Sequence, residues 1–196
     1  MSYGNQRFSR VVLDEEQAER ALLNAVQGIF RLGIKVQYGD VELRLVGRNV
    51  IPMDGSGMFD TCARFPGNCT ISLRKDMAYD RAVVTLAHEL MHFWLYKRKK
   101  ATRAREWMDP CVEEAVCELV GLAIAEDIPA RRQIIDNQAW LVKWYTTQSS
   151  PQRVREALLL VQEVDDGRRP GSRNDTREAR AFFVQDCLAQ LTAMGL

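Results

Sequence analysis

Two histidines occur in this chain, four residues apart, as His88 and His92. Glu89 follows the first, giving His88-Glu89-Leu90-Met91-His92. On an α-helix, positions i and i+4 share a face, so both imidazoles can grip one ion. Glu89 lies about 100° further round, where it can serve as general base toward a water beside the metal. Zinc suits imidazole nitrogen and keeps a position open for chemistry. A metal held this way polarises water and a carbonyl, so the chemistry indicated is hydrolysis.

Two histidines do not complete a site, and there is no third. A carboxylate or a thiolate must close it. Downstream, Pro110-Cys111-Val112-Glu113-Glu114-Ala115-Val116-Cys117-Glu118 opens a second helical pattern. Glu114 and Glu118 share a face with Gly121 and Ala125, whose small side chains permit a close approach to the histidine helix. Glu114 is the expected third ligand, and Glu118 the group that orients a histidine from behind. Glu113, one position round, is the competing ligand. The bland alternative is that these acids decorate a helix N-terminus, where the macrodipole favours them. Cys62 and Cys69 are the thiolate alternatives, while Cys111 and Cys117 read as small buried apolar residues.

These side chains need elements to carry them. Val83, Leu86, Leu90, Phe93 and Trp94 form an apolar face opposite the histidines, which Arg81, Thr85 and Tyr96 accompany. Four or five helices are expected, near 77–99, 110–127, 131–147, 151–164 and 175–194, with Pro110, Pro129 and Pro151 at first turns or breaks. Asp165 to Asn174 reads as a loop. An earlier helix spans Glu15 to about Leu32. Asp14 is its N-cap, Gln17 completes a capping box and Gly33 is its C-terminal stop. Ala18, Leu22, Val26, Ile29 and Phe30 supply its stripe. Ile34 and Val36, then Val41, Leu43 and Leu45, alternate as strands about a Gly39-Asp40 hairpin turn. Residues 52–68 read as loop with at most a short strand, and Cys69–Leu73 as a strand. The expected fold is α+β in one domain, 1–196: an α/β lobe over 1–75, then a helical lobe over 76–196 carrying the metal site.

Composition excludes several classes. The 196 residues carry 27 Lys and Arg against 26 Asp and Glu, a net charge of +1. That balance argues against a general nucleic-acid binder. No apolar run reaches the roughly 18 residues of a membrane span, and MSYGNQRFSR lacks a signal-peptide core. Five cysteines, an odd number, argue against a secreted disulfide framework. A cytoplasmic protein is expected. The basic run Lys97-Arg98-Lys99-Lys100, with Arg103 and Arg105, reads as a solvated helix end.

HExxH followed about twenty residues on by a helix-borne Glu resembles the gluzincin pattern of zinc peptidases. Glu114 and Glu118 match its spacing, with Glu in place of the usual Asp. More closely, LAHELMHFWL (86–95) with VEEAVCELVG (112–121) resembles the peptidase domain of the plant ubiquitin-dependent, LIM-domain-containing growth-regulating peptidases. The likeness is good over 76–126, thin over 140–160, and does not cover 1–68. Ala115 stands where that family tends to have Gly, and no LIM-type zinc cluster or ubiquitin-interaction segment is visible. The resemblance implies a zincin-like fold and a minimal, LIM-less peptidase with His88, Glu89, His92 and Glu114 in the metal and base roles. It also implies a protein or peptide substrate, an edge strand that pairs with it (Cys69–Leu73 is the candidate), and ubiquitin-linked regulation by analogy alone. Such enzymes stabilise the oxyanion with a second-lobe His or Tyr; Tyr145 is the first candidate, with Tyr96 and Tyr79 as alternatives. Tyr145 could instead be an ordinary member of the aromatic group Trp140, Trp144, Tyr145. A zincin fold kept as a silent binding module, and a metal hydrolase of a non-peptide amide, are the competing functions.

Overall fold

Helix α1 runs from Glu15 to Arg31. The Asp14 carboxylate accepts from the Gln17 backbone N–H at 2.7 Å, and the Gln17 side chain accepts from the Asp14 N–H at 3.2 Å. That is the reciprocal capping box the sequence indicates. The buried stripe is Ala18, Ala21, Leu22, Ala25 and Ile29; Phe30, expected on it, is 58% exposed. The computed structural model describes residues 12–32, 34, 36, 38–51, 55–61, 69–102, 108–128, 132–166, 185 and 187–196. Gly33, expected as the stop of α1, lies outside the described residues, as do Cys62, Pro129, Arg103, Arg105 and the segments 167–174 and 175–184.

The hairpin expected at Gly39-Asp40 is corrected. Ile34 donates its N–H back to Ile29 O at 3.2 Å and is buried, so it finishes the turn leaving α1 rather than starting a strand. Tyr38–Asp40 is a short 3-10 turn that leads into β1, Val41–Val46. Strands β2, Gly57–Thr61, and β3, Cys69–Arg74, complete a three-stranded sheet of order β1-β3-β2. β1 runs parallel to β3 with Val41 opposite Cys69, and β2 runs antiparallel to it with Gly57 opposite Leu73. Cys69–Leu73 is therefore the central strand and not an edge. Its Cys69, Ile71, Ser72 and Leu73 are buried, as a strand covered on both faces requires. The edge on the side of the histidines is β2.

Four helices follow: α2 Tyr79–Thr102, α3 Pro110–Glu126, α4 Arg132–Gln148 and α5 Pro151–Asp166. Residues 187–193 are helical again. α2 lies against α1, β2, β3 and α3, while α3 packs between α2, α4 and α5. α3 is buried almost all round, which its run Ala115, Val116, Cys117, Leu119, Val120 demands. Asp109 caps it by accepting from the Val112 N–H at 3.1 Å, with Pro110 in the first turn where its missing donor costs nothing. Gly121 sits where α2, α3 and α4 meet. A Cβ there would stand 3.0 Å from Gln138 Nε2 and 3.5 Å from Val84 Cγ1. One hydrophobic cluster runs from Ala21 and Ile29 through Ile71, Leu86, Leu90 and Leu119 to Leu158 and Leu191. Among the described residues no helix is long and apolar enough to cross a membrane.

Candidate metal centre

α2 presents its apolar face to the core: Val83, Leu86, Leu90, Phe93 and Trp94 are all buried. The opposite side borders a cleft of about 800 Å³, into which Arg81, Thr85, His88, Glu89 and His92 face. α3 brings Glu113, Glu114 and Glu118 to the same cleft, α4 brings Gln138 and Tyr145, and β2 forms its other wall.

Two turns of α2 meet two turns of α3 at the centre. His88 Nε2 and His92 Nε2 stand 3.0 Å apart. The Glu114 carboxylate spans both, with Oε2 at 3.4 Å from His88 Nε2 and Oε1 at 3.5 Å from His92 Nε2. Behind the rings, Glu118 Oε1 lies 3.5 Å from His88 Nδ1 and Glu113 Oε1 lies 2.9 Å from His92 Nδ1. Each imidazole thus has one nitrogen turned to a backing carboxylate and the other turned inward. Hydrogen bonding at Nδ1 sets the neutral tautomer that leaves the Nε2 lone pair free. Two such lone pairs and a carboxylate then converge, an arrangement that is repulsive until a cation joins it. The spacings fit one ion, since tetrahedral ligands at about 2 Å from a metal lie about 3.3 Å from one another. Glu118 adds a further sign of a polar interior: its side chain is buried and Oε2 has no partner among the protein groups.

Electrostatics agree with a site that holds positive charge. Burial lowers the pKa of His88, but Glu118 and Glu114 outweigh it and hold the ring well above its ordinary range. His92 follows the same pattern, with burial opposed by the Cys117 sulfur and by Glu113 and Glu114. Burial raises Glu114, yet its contacts with both histidines carry it well below the usual carboxylate range. Without a metal, a proton shared between the facing Nε2 atoms supplies positive charge; a divalent ion can replace it.

Glu89 is 6% exposed. Burial raises its pKa, and the histidines and a hydrogen bond from the Phe59 N–H pull it back. A carboxylate held above its usual range in a cleft is suited to taking and returning a proton. β2 comes this close because residue 57 is glycine. A Cβ there would sit 2.7 Å from Thr85 Cγ2 and 2.8 Å from Glu89 Oε1.

Tyr145 lines the cleft and packs edge-on against Trp144 at 4.8 Å, which in turn stacks with Trp140. It is therefore both a cleft residue and a member of the aromatic group. Burial and the charges of Glu114 and Glu118 push its pKa up to about 12, so the hydroxyl keeps its proton and can donate. The alternatives stand elsewhere: Tyr79 Oη accepts from Asn24 Nδ2 at 2.7 Å, and Tyr96 packs on Phe59. Cys69 is buried in the central strand, away from the cleft.

Of the expected site residues, His88, Glu89, His92, Glu113, Glu114, Glu118 and Tyr145 all come together. Sequence reasoning missed β2 as a wall, Gln138, and Cys117 as a neighbour of His92. The glycine in Gly55-Ser56-Gly57-Met58-Phe59 was the available signal for β2, because a glycine within a strand marks close backbone approach. Nothing in the sequence singled out Gln138. Comparisons with known proteins add nothing further: no family model, curated protein or solved structure matches the chain.

Proposed function

We propose that this chain is a zinc-dependent peptidase of gluzincin type that hydrolyses peptide bonds of protein substrates. The observation that carries the reading is the convergence of His88 Nε2, His92 Nε2 and Glu114 with a separate carboxylate behind each ring. A decorative acidic helix end has no reason to place one acid between two imidazoles and one behind each. His88, His92 and Glu114 would hold the ion, and zinc suits a set of two nitrogens and one carboxylate. When bound, such an ion supplies Lewis acidity that polarises a water and the substrate carbonyl. Glu118 and Glu113 hold the rings at fixed angles. Glu89 accepts the proton of the attacking water and delivers it to the departing amine. Tyr145 donates its hydroxyl proton in a hydrogen bond to the carbonyl oxygen as charge builds there. β2, the outer strand of the described sheet beside Glu89, would present its backbone to an extended peptide. A cytoplasmic setting suits the four described cysteines, which form no disulfide with one another.

The test is metal analysis of the purified chain by plasma emission, together with cleavage of a complex peptide library read by mass spectrometry. One zinc per chain, with cleavage lost in Glu89→Gln but metal retained, supports the reading. Metal without cleavage in any peptide would move the function to a non-peptide amide or a binding role. No metal after reconstitution would sink it.

A further inference from the structure

Two arginines, Arg74 and Arg81, contact residues 55 and 56 beside the cleft. Arg74 is held by Asp76, with Nε at 2.9 Å from Oδ1 and Nη2 at 3.0 Å from Oδ2. Its N–H also fixes Ser56 O at 3.1 Å, so residues 55–57 are anchored to the sheet. Arg81 is different. It faces the cleft from α2, and its contact is a long one, Nη2 to Ser56 Oγ at 3.4 Å. Among the described residues no carboxylate lies within ion-pair distance of it. The acids of the cleft are engaged: Glu113, Glu114 and Glu118 face the imidazoles, and Glu89 takes the Phe59 N–H.

A guanidinium partly buried in a concave wall, with no carboxylate of the described residues within ion-pair distance, is suited to receive one from outside. Its planar fork matches a carboxylate in a two-point contact. Arg81 stands seven residues before His88 on the same helix, two turns or about 10 Å along the axis. An extended peptide covers that distance in about three residues. We infer that Arg81 is a specificity-determining residue that binds a substrate carboxylate two or three residues from the bond to be cut. That carboxylate is either the C-terminal group or an Asp or Glu side chain. The inference rests on the peptidase reading and adds a substrate class to it.

Binding of metal-anchored peptides to the zinc-loaded chain decides it, whether or not the peptides turn over. The probes are short peptides bearing a hydroxamate, paired so that one member carries a carboxylate and the other an amide at the third residue. One pair differs at the C-terminus, the other in an internal Asp against Asn with an amidated end. The wild type should bind the acid of at least one pair about tenfold or more tightly than its amide, the gain expected of hydrogen bonds to a charged group. In Arg81→Gln that ratio should fall to near one, and Arg81→Lys should keep part of it. The C-terminal pair alone responding identifies a chain-end reader; the internal pair responding identifies an acidic-residue reader. No ratio in the wild type, a ratio that survives Arg81→Gln, or equal weakening of acids and amides would each overturn the inference. The last of these would make Arg81 a clamp on Ser56. Failure of every hydroxamate to bind would instead remove the metal reading itself, and this inference with it.

Discussion

His92 Nδ1 lies 2.9 Å from Glu113 Oε1, while the carboxylate of the very next residue, Glu114, faces the other nitrogen of the same ring at 3.5 Å. Adjacent acids on α3 thus meet opposite edges of one imidazole, and the two should be separable by mutation. Glu114→Ala removes an inward donor and should abolish stoichiometric metal binding. Glu113→Gln keeps a hydrogen-bond acceptor at Nδ1 and should weaken binding only about 10- to 100-fold. Chelator competition titrations on the two variants check the contrast. Equal losses would mean that both acids, or neither, reach the ion.

Glu89→Gln removes the proton acceptor but leaves a similar shape against Phe59. Turnover should fall by about 10²- to 10⁴-fold with metal content unchanged. Single-turnover cleavage beside plasma emission gives both quantities on one sample.

Tyr145→Phe deletes the hydroxyl and leaves the ring on Trp144. A loss of about 10²-fold or more in kcat with little change in KM is expected of an oxyanion donor. An unchanged kcat would leave Tyr145 as a packing residue only.

The pH dependence of stability should reverse on metal loading. In the metal-free chain His88 and His92 have folded pKa values raised above those of the unfolded state. Their stabilisation is complete below about pH 6.5 and is lost as pH rises through the raised values. Glu114 has the opposite sign: its contribution is present above about pH 4.5 and lost as pH falls through the depressed value. The metal-free melting temperature should therefore fall on going from about pH 6 toward alkaline pH. With metal, deprotonated rings are needed, so stability should rise over the same interval and protons should be released on binding. Thermal melts with and without chelator, and calorimetry in buffers of different ionisation heat, test the sign.

Gly57→Ala places a methyl within 2.8 Å of Glu89 Oε1 and closer still to Thr85. Glu89 or the strand must move. Activity should drop at least about tenfold, since small misplacements of catalytic groups are costly, while the far-ultraviolet spectrum remains that of the wild type. A fully active variant would show that β2 can retreat without consequence.

Much of the site was legible in the sequence because helix periodicity is strict. Two histidines at i and i+4, and acids at 113, 114 and 118, can face only certain ways once the helices form, and Leu90 and Leu119 fix which way is inward. The sequence favoured Glu114 over Glu113 through the small residues on its face, but how far α3 is rotated against α2, on which that choice depends, carries no local signal. The sheet was read less well. Alternation around Gly39 signalled strands but carried no information about partners. β1 joins β3 across twenty-two intervening residues, 47–68, and Ile34 is claimed by the end of α1. The position of β3 at the centre, with β2 at the edge, follows from pairing and from no local signal.

The three acids that contact the imidazoles, Glu113, Glu114 and Glu118, come from one rod and both histidines from another. Sliding α3 by one residue would advance it about 1.5 Å and turn it about 100°, bringing a neighbouring side chain to the spot where Glu114 now stands. Which acid stands between the two histidines is therefore written in the contact between two cylinders, where Gly121 meets Val84 and Gln138, and in buried Ala115 and Leu119. Residues with no chemistry of their own act as the index marks of a vernier scale. A bound ion, in turn, would lock that scale at one reading.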